Sequence, residues 1–267
     1  MRNFLLLLSF LCTSTLFAQF TYNDGGLGGI QSPNTSATGI VSFSAGYLTL
    51  ASGDYGATAL GSSSEASGIA SIAIGDQVTA SGDYGATALG FQTTAGGNAS
   101  TAMGYQTSAI DRSSLVIGEY NKIDETPNPS EFSIQNSAFV IGNGTDNDNR
   151  SNALEVLFDG TTTIAGDLNI NSDARLKANI ISLGATLSKL LQIDGKTYTM
   201  KKDANHKKKI GLLAQDIEKV FPELVTETND IKSVNYQGLV PVLINAMKEQ
   251  QEEIDELKAL VKQILEK

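Results

Sequence analysis

The hexapeptide Ser172-Asp173-Ala174-Arg175-Leu176-Lys177 sets a hydroxyl five residues ahead of an amine. A serine paired with a lysine can replace the Ser-His-Asp constellation in acyl transfer. The lysine must be neutral when it takes the serine proton, and burial or neighbouring positive charge favours that form. A plainer role is also open to Ser172, as a helix N-cap with Asp173 supporting the first turn. Asp173 and Arg175 either order a site or pair on the surface. Gln215 either hydrogen-bonds near that site or starts a helix. Ser and Lys are common residues, so spacing alone does not choose between these readings.

The elements that must hold this pair follow downstream. Asn179-Ile180 is succeeded by Lys209-Ile210-Gly211-Leu212-Leu213-Ala214-Gln215-Asp216-Ile217, by Phe221-Pro222-Glu223-Leu224-Val225, and by Val234-Asn235-Tyr236 with Leu239-Val240-Pro241. Strands are predicted over 196–200, 209–213 and 231–235. Leu183, Leu187, Leu190 and Leu191 mark an amphipathic helix. Met247, Gln250, Ile254, Leu257, Val261 and Ile264 are spaced 3, 4, 3, 4 and 3, an a/d seam with charged flanks. That seam faces either partner helices or its own domain. The expected class from 172 onward is α+β.

This series of motifs, over 172 to about 251, resembles the C-terminal intramolecular chaperone of endosialidases and related phage tail spikes. The resemblance implies a domain that helps three chains fold into an interwoven fibre and then cuts itself off. It implies cleavage between Asn171 and Ser172, with Ser172 as nucleophile and Lys177 as general base. The enzyme so implied is a single-turnover serine endopeptidase with no external substrate and no cofactor.

The first half repeats. Small-apolar-Gly triplets end at Gly61, Gly75, Gly90, Gly104 and Gly118, spaced 14, 15, 14 and 14. A second set interleaves: Ala51-Ser52-Gly53, Ala66-Ser67-Gly68, Ala80-Ser81-Gly82 and Ala95-Gly96-Gly97. Stretches 51–61 and 80–90 are identical. Alternation places Ala, Ile and Leu together on one strand face. One such unit cannot bury that face alone, whereas stacked units can, which predicts a solenoid of parallel strands. These repeats, over roughly 45–118, resemble the head repeats of trimeric autotransporter adhesins of the YadA type. That resemblance implies a left-handed parallel β-roll in which three chains pack side by side. The charged, helical C-terminus lacks the alternating strands of those adhesins' membrane anchor.

Between 121 and 171 the period breaks. Residues 138–142 suggest one further coil, and 153–160 and 161–170 read as strands of a β neck formed between chains. Asp146-Asn147-Asp148-Asn149 lacks the turn glycine and distal glutamate of a helix–loop–helix calcium loop and reads as a solvated turn. No metal site is expected, and the single histidine, His206, reads as solvated. Five stretches follow: 1–18, 19–44, 45–120, 121–171 and 172–267.

Arg2, the apolar run 4–11 and Ala18 read as a cleaved secretory signal, too short to span a membrane. The lone cysteine, Cys12, lies inside it, so no disulfide is expected in the mature chain. A formal net charge of -10 argues against nucleic acid as a partner. From Ser172 onward 15 basic residues nearly balance 14 acidic ones, so the acidic excess lies before it. The leading expectation is an exported homotrimeric surface fibre with a self-cutting chaperone. A purely structural fibre with a retained chaperone is the alternative. A glycan-degrading fibre ranks below both, because the repeats offer no catalytic carboxylate pair.

Overall fold

The computed structural model describes residues 20–23, 28–201 and 206–266. The chain divides into two compact units, one ending at Ile170 and the other beginning at Asn171. The signal-peptide reading and Cys12 lie outside the described residues.

The first unit is a β-solenoid. Strands Phe43–Tyr47, Thr58–Ser62, Ile72–Asp76, Thr87–Phe91, Thr101–Tyr105, Leu115–Glu119 and Ser137–Asn143 form one parallel ladder. Its register stacks Gly46, Gly61, Gly75, Gly90, Gly104, Gly118 and Gly142. A second parallel ladder joins the two-residue strands Ser36–Ala37, Leu50–Ala51, Glu65–Ala66, Thr79–Ala80, Thr94–Ala95 and Ser108–Ala109. Gly29–Gln31 leads into the long ladder. At its other end Ser137–Asn143 turns antiparallel to Asn152–Leu157, which pairs with Thr162–Ile164.

The interior explains the composition. Ala59, Ala73, Ala88 and Ala102 from the long ladder and Ala51, Ala66, Ala80 and Ala95 from the short one are wholly buried. Ser and Thr fill the spaces between them, and Val78 is the largest apolar side chain fully enclosed there. A coil this narrow reaches interior packing density with nothing bulkier. The expectation that Ala, Ile and Leu share a face is corrected here. Neighbouring strand residues point to opposite sides, so Leu60, Ile74, Leu89 and Met103 lie outside while the alanines before them lie inside. Ile74 and Met103 keep 38% and 39% of their surface exposed.

The corners are built from strained backbone. A non-glycine residue with positive φ recurs every seven or eight positions, from Asn34, Val41 and Leu48 to Ser113 and Tyr120. Left-handed backbone costs an L-residue about 1–2 kcal/mol. The stacking of coils offsets it, because the strained residue, or at Tyr55 and Tyr84 the glycine after it, donates its N–H to the coil before. Gln77 N–H donates to the Ser62 carbonyl at 2.8 Å and Gln92 N–H to that of Asp76 at 2.9 Å. The side chains join in. Gln92 Nε2 donates to Gln77 Oε1 at 2.8 Å, and Gln106 Nε2 donates to Gln92 Oε1. Each amide in such a chain polarises the next.

The second unit has a small core of Ile217, Phe221 and Val242, flanked by half-buried residues including Leu190, Leu212, Leu224 and Val234. Two hairpins are present: Lys196–Tyr198 with Lys209–Gly211, both on predicted strands, and Val225–Thr228 with Ile231–Val234, of which only the second strand is predicted. The helix Ala214–Val220 supplies Ile217 to the core. The expected helix around Leu183 to Leu191 is a single turn, Leu187–Leu190. The C-terminal helix Leu239–Leu265 is 27 residues long. No described helix is long and apolar enough to cross a membrane.

Candidate functional site

Ser172 and Lys177 meet because the chain between them turns tightly. Ala174–Leu176 form one 3-10 turn, in which Lys177 N–H donates to the Ala174 carbonyl at 3.1 Å. The cap of this turn is Asp173 rather than Ser172, its carboxylate accepting from Arg175 N–H at 2.9 Å. Ser172 is thereby left free of the capping role. The turn brings Lys177 Nζ to 2.7 Å from Ser172 Oγ, to which it donates.

Asp173 and Arg175 pair with each other. Arg175 Nη2 lies 2.6 Å from Asp173 Oδ2, and the arginine side chain is 89% exposed. The guanidinium, helped by the Arg175 N–H, holds the Asp173 carboxyl below its usual value. A solvated pair of this kind adds little stability. Gln215 is exposed near the start of the helix Ala214–Val220 and makes no hydrogen bond to Ser172 or Lys177. The structure thus joins Ser172 to Lys177 and Asp173 to Arg175, and leaves Gln215 apart.

Every residue from Asn171 to Ala185 is exposed, including the apolar Leu176, Ile180 and Ile181. The first buried position after this turn is Thr186. It is held by a residue that sequence reasoning passed over, Glu249 on the C-terminal helix. Glu249 Oε1 accepts from Thr186 N–H at 2.6 Å and from Thr186 Oγ1 at 3.0 Å. Its Oε2 accepts from Leu187 N–H at 3.1 Å. The carboxylate satisfies the orphan donors at the start of the turn Leu187–Leu190. No spacing rule links residues 63 apart, so nothing in the sequence pattern pointed to it.

The Thr186 N–H, followed by the Leu187 N–H and the Thr186 hydroxyl, pulls the Glu249 carboxyl below its usual value. A lowered folded-state value means stability that is present above the unfolded value and lost as pH falls through the folded one. Glu249→Gln is expected to melt below the native chain at neutral pH. The two melting temperatures should converge as pH drops below the ordinary carboxylate range; a constant gap would contradict the ionic cap.

Two downstream motifs also have structural work. Tyr236 OH accepts from Leu212 N–H at 2.9 Å, tying the end of the strand Lys209–Gly211 to the turn before the C-terminal helix. Asn235 Oδ1 accepts from Gly238 N–H at 3.2 Å and caps that turn. At the far end of the solenoid, Asp146 Oδ1 accepts from the backbone N–H groups of Asp148 and Asn149 at 2.9 Å, the geometry of an ordinary Asx turn.

Residues 172–226 match the peptidase family described as the chaperone of endosialidase. This stretch is similar to a chaperone domain of the endosialidase type. The YadA head domain repeat matches residues 51–77, 66–85 and 80–107, within the solenoid. Similar proteins include the long tail fiber protein Gp37 of Salmonella phage S16, 34% identical over 108 residues, or 37% of this chain and 14% of that protein. The Gp37 protein of Enterobacteria phage M1 is 34% identical over 119 residues, 39% of this chain and 47% of that protein. The Gp37 protein of Escherichia phage AR1 is 30% identical over 100 residues, 34% of this chain and 9% of that protein. The chain therefore spans less than half the length of the curated relatives it matches.

Proposed function

We propose that the chain is an extracellular or virion-associated trimeric fibre whose chaperone domain assembles it and then severs itself before Ser172. The observation that carries this reading is the 2.7 Å contact between Ser172 Oγ and Lys177 Nζ, in the residue that follows the Asn171 carbonyl. Lys177, as the neutral amine, takes the Ser172 hydroxyl proton. Oγ then attacks the Asn171 carbonyl carbon. The C–N bond to Ser172 breaks, and the proton held by Lys177 passes to the departing nitrogen. An ester of Asn171 on Ser172 Oγ results. Water hydrolyses it, leaving a carboxylate on Asn171 and restoring the hydroxyl.

Trimer formation fits two surfaces of the chain. Leu60, Ile74, Leu89 and Met103 form a half-exposed apolar row along the outside of the solenoid. Met247, Ile254, Leu257, Val261 and Ile264 leave an exposed seam on the C-terminal helix, with Met247 69% exposed. Heptad seams of this kind are buried by partner helices.

Assembly also supplies what a single chain lacks. Lys177 is solvated in one copy, and removing water from an ammonium favours its neutral form. Cleavage is therefore expected in trimers and not in monomers. Size-separated fractions, incubated and then read by mass spectrometry, test this. Release of the fragment beginning at Ser172 from isolated monomers would refute it, and trimers that stay full length would show a retained structural chaperone instead.

A further inference from the structure

The reactive turn has no buried anchor of its own. From Asn171 the chain stays exposed until Thr186, which is 1% exposed. Both donors of Thr186, its N–H and its hydroxyl, are taken up on the C-terminal helix, by the Glu249 carboxylate and by the Val242 carbonyl, which accepts from Thr186 Oγ1 at 3.2 Å. Glu249 stands between Met247 and Gln250, two positions of the exposed heptad seam. The residue that holds the far end of the reactive segment thus shares a helical turn with the surface through which helices would associate.

We infer that Glu249 is a positioning residue for self-cleavage, transmitting the state of the C-terminal helix to the Ser172–Lys177 turn through Thr186. This inference rests on the proposed Ser-Lys reaction and adds its control. A helix that is ordered by association holds Glu249 in place. Glu249 then pins Thr186 and Leu187 through three hydrogen bonds. The fourteen-residue stretch from Ser172 to Ala185 is then tethered at its downstream end. Without that tether the turn keeps its internal hydrogen bonds but loses its placement against whatever surrounds it in the assembly. Misplacement by about 1 Å can cost as much as ~100-fold in rate.

The test uses the full chain, with cleavage timed only in the trimer fraction, so that loss of assembly does not enter the rate. Glu249→Gln keeps the volume but removes the charge and one acceptor. It is expected to slow release of the Ser172 fragment by about 10-fold or more, while the trimers melt within a few degrees of the native ones. Thr186→Val should slow release similarly, and Thr186→Ser, which keeps the hydroxyl, should restore it. The double variant Thr186→Val/Glu249→Gln should be no slower than the slower single variant, because both act through one contact. Native-rate cleavage by Glu249→Gln trimers would overturn the inference. If that variant does not assemble, equal rates for Thr186→Val and Thr186→Ser would overturn it instead. Ser172→Ala separates the two levels. A Ser172 fragment still released by that variant sinks the Ser-Lys reaction and this inference together. A silent Ser172→Ala beside a fully active Glu249→Gln sinks only the role of Glu249.

Discussion

Ser172→Ala should yield trimers that remain full length indefinitely, and Lys177→Ala trimers that release the C-terminal fragment about 100- to 10,000-fold more slowly than the native chain. The first removes the atom positioned to attack Asn171, so no acyl shift can begin. The second keeps the nucleophile and removes its base, and a positioned general base is worth a factor of this size. Both side chains are exposed, so neither truncation leaves a cavity. Melting temperature and trimer yield should match the native chain, which separates lost chemistry from lost folding. Gln215→Ala is the fitting control, because that exposed side chain makes no hydrogen bond to either member of the pair. Intact mass and N-terminal sequencing of any fragment read all three. Fragment of the native mass from Ser172→Ala would rule out the serine.

Gly90→Ala should unravel the solenoid around it. A Cβ at Gly90 would lie 2.0 Å from the Gly104 carbonyl oxygen of the next coil, and Gly90 has φ +126. Neither problem has a cheap solution, since the obstructing atom is backbone and the ladder fixes the spacing at about 4.8 Å. The combined cost is on the order of 4 kcal/mol, at the upper end of single substitutions. Two neighbouring glycines calibrate the effect. Gly85 has φ +84 with nothing within 4 Å of an added Cβ, so Gly85→Ala carries only the backbone strain, about 1 kcal/mol. Gly96 has no positive φ and meets only Ser81 Oγ at 3.9 Å, so Gly96→Ala should be nearly silent. Thermal melts of the three variants should rank in that order. A Gly90 variant as stable as the Gly96 variant would contradict the stacked register.

Much of this was legible because the period is rigid. Glycines spaced 14 or 15 apart forced the register, and the structure stacks those same glycines. The face on which Leu60 and Ile74 lie was misread, because the repeats were judged by hydrophobicity. In a coil this thin the inside is chosen by size, and alanine outcompetes leucine for it. The short helix near Leu187 was overextended for a related reason. Leu183 and Leu191 fit the helical spacing, but Gly184 has positive φ and the N-terminal capping comes from Glu249, a distant residue. The hexapeptide showed which atoms could react. It could not show that Asp173 takes the capping role, since both residues are good caps and only the observed turn decides between them.

The strained corner at every seventh or eighth residue carries a consequence for how such a rod changes length. Between about residues 50 and 105 each coil pairs its strands with the coil above and below it, and the interfaces repeat the same ladder contacts. Inserting or deleting one whole coil therefore creates no new kind of contact. It moves the two ends apart or together by about one strand spacing, ~4.8 Å. The identical stretches 51–61 and 80–90 are two such graduations. Copy number, rather than any single side chain, sets the reach of the rod, much as the marks on a ruler set its span.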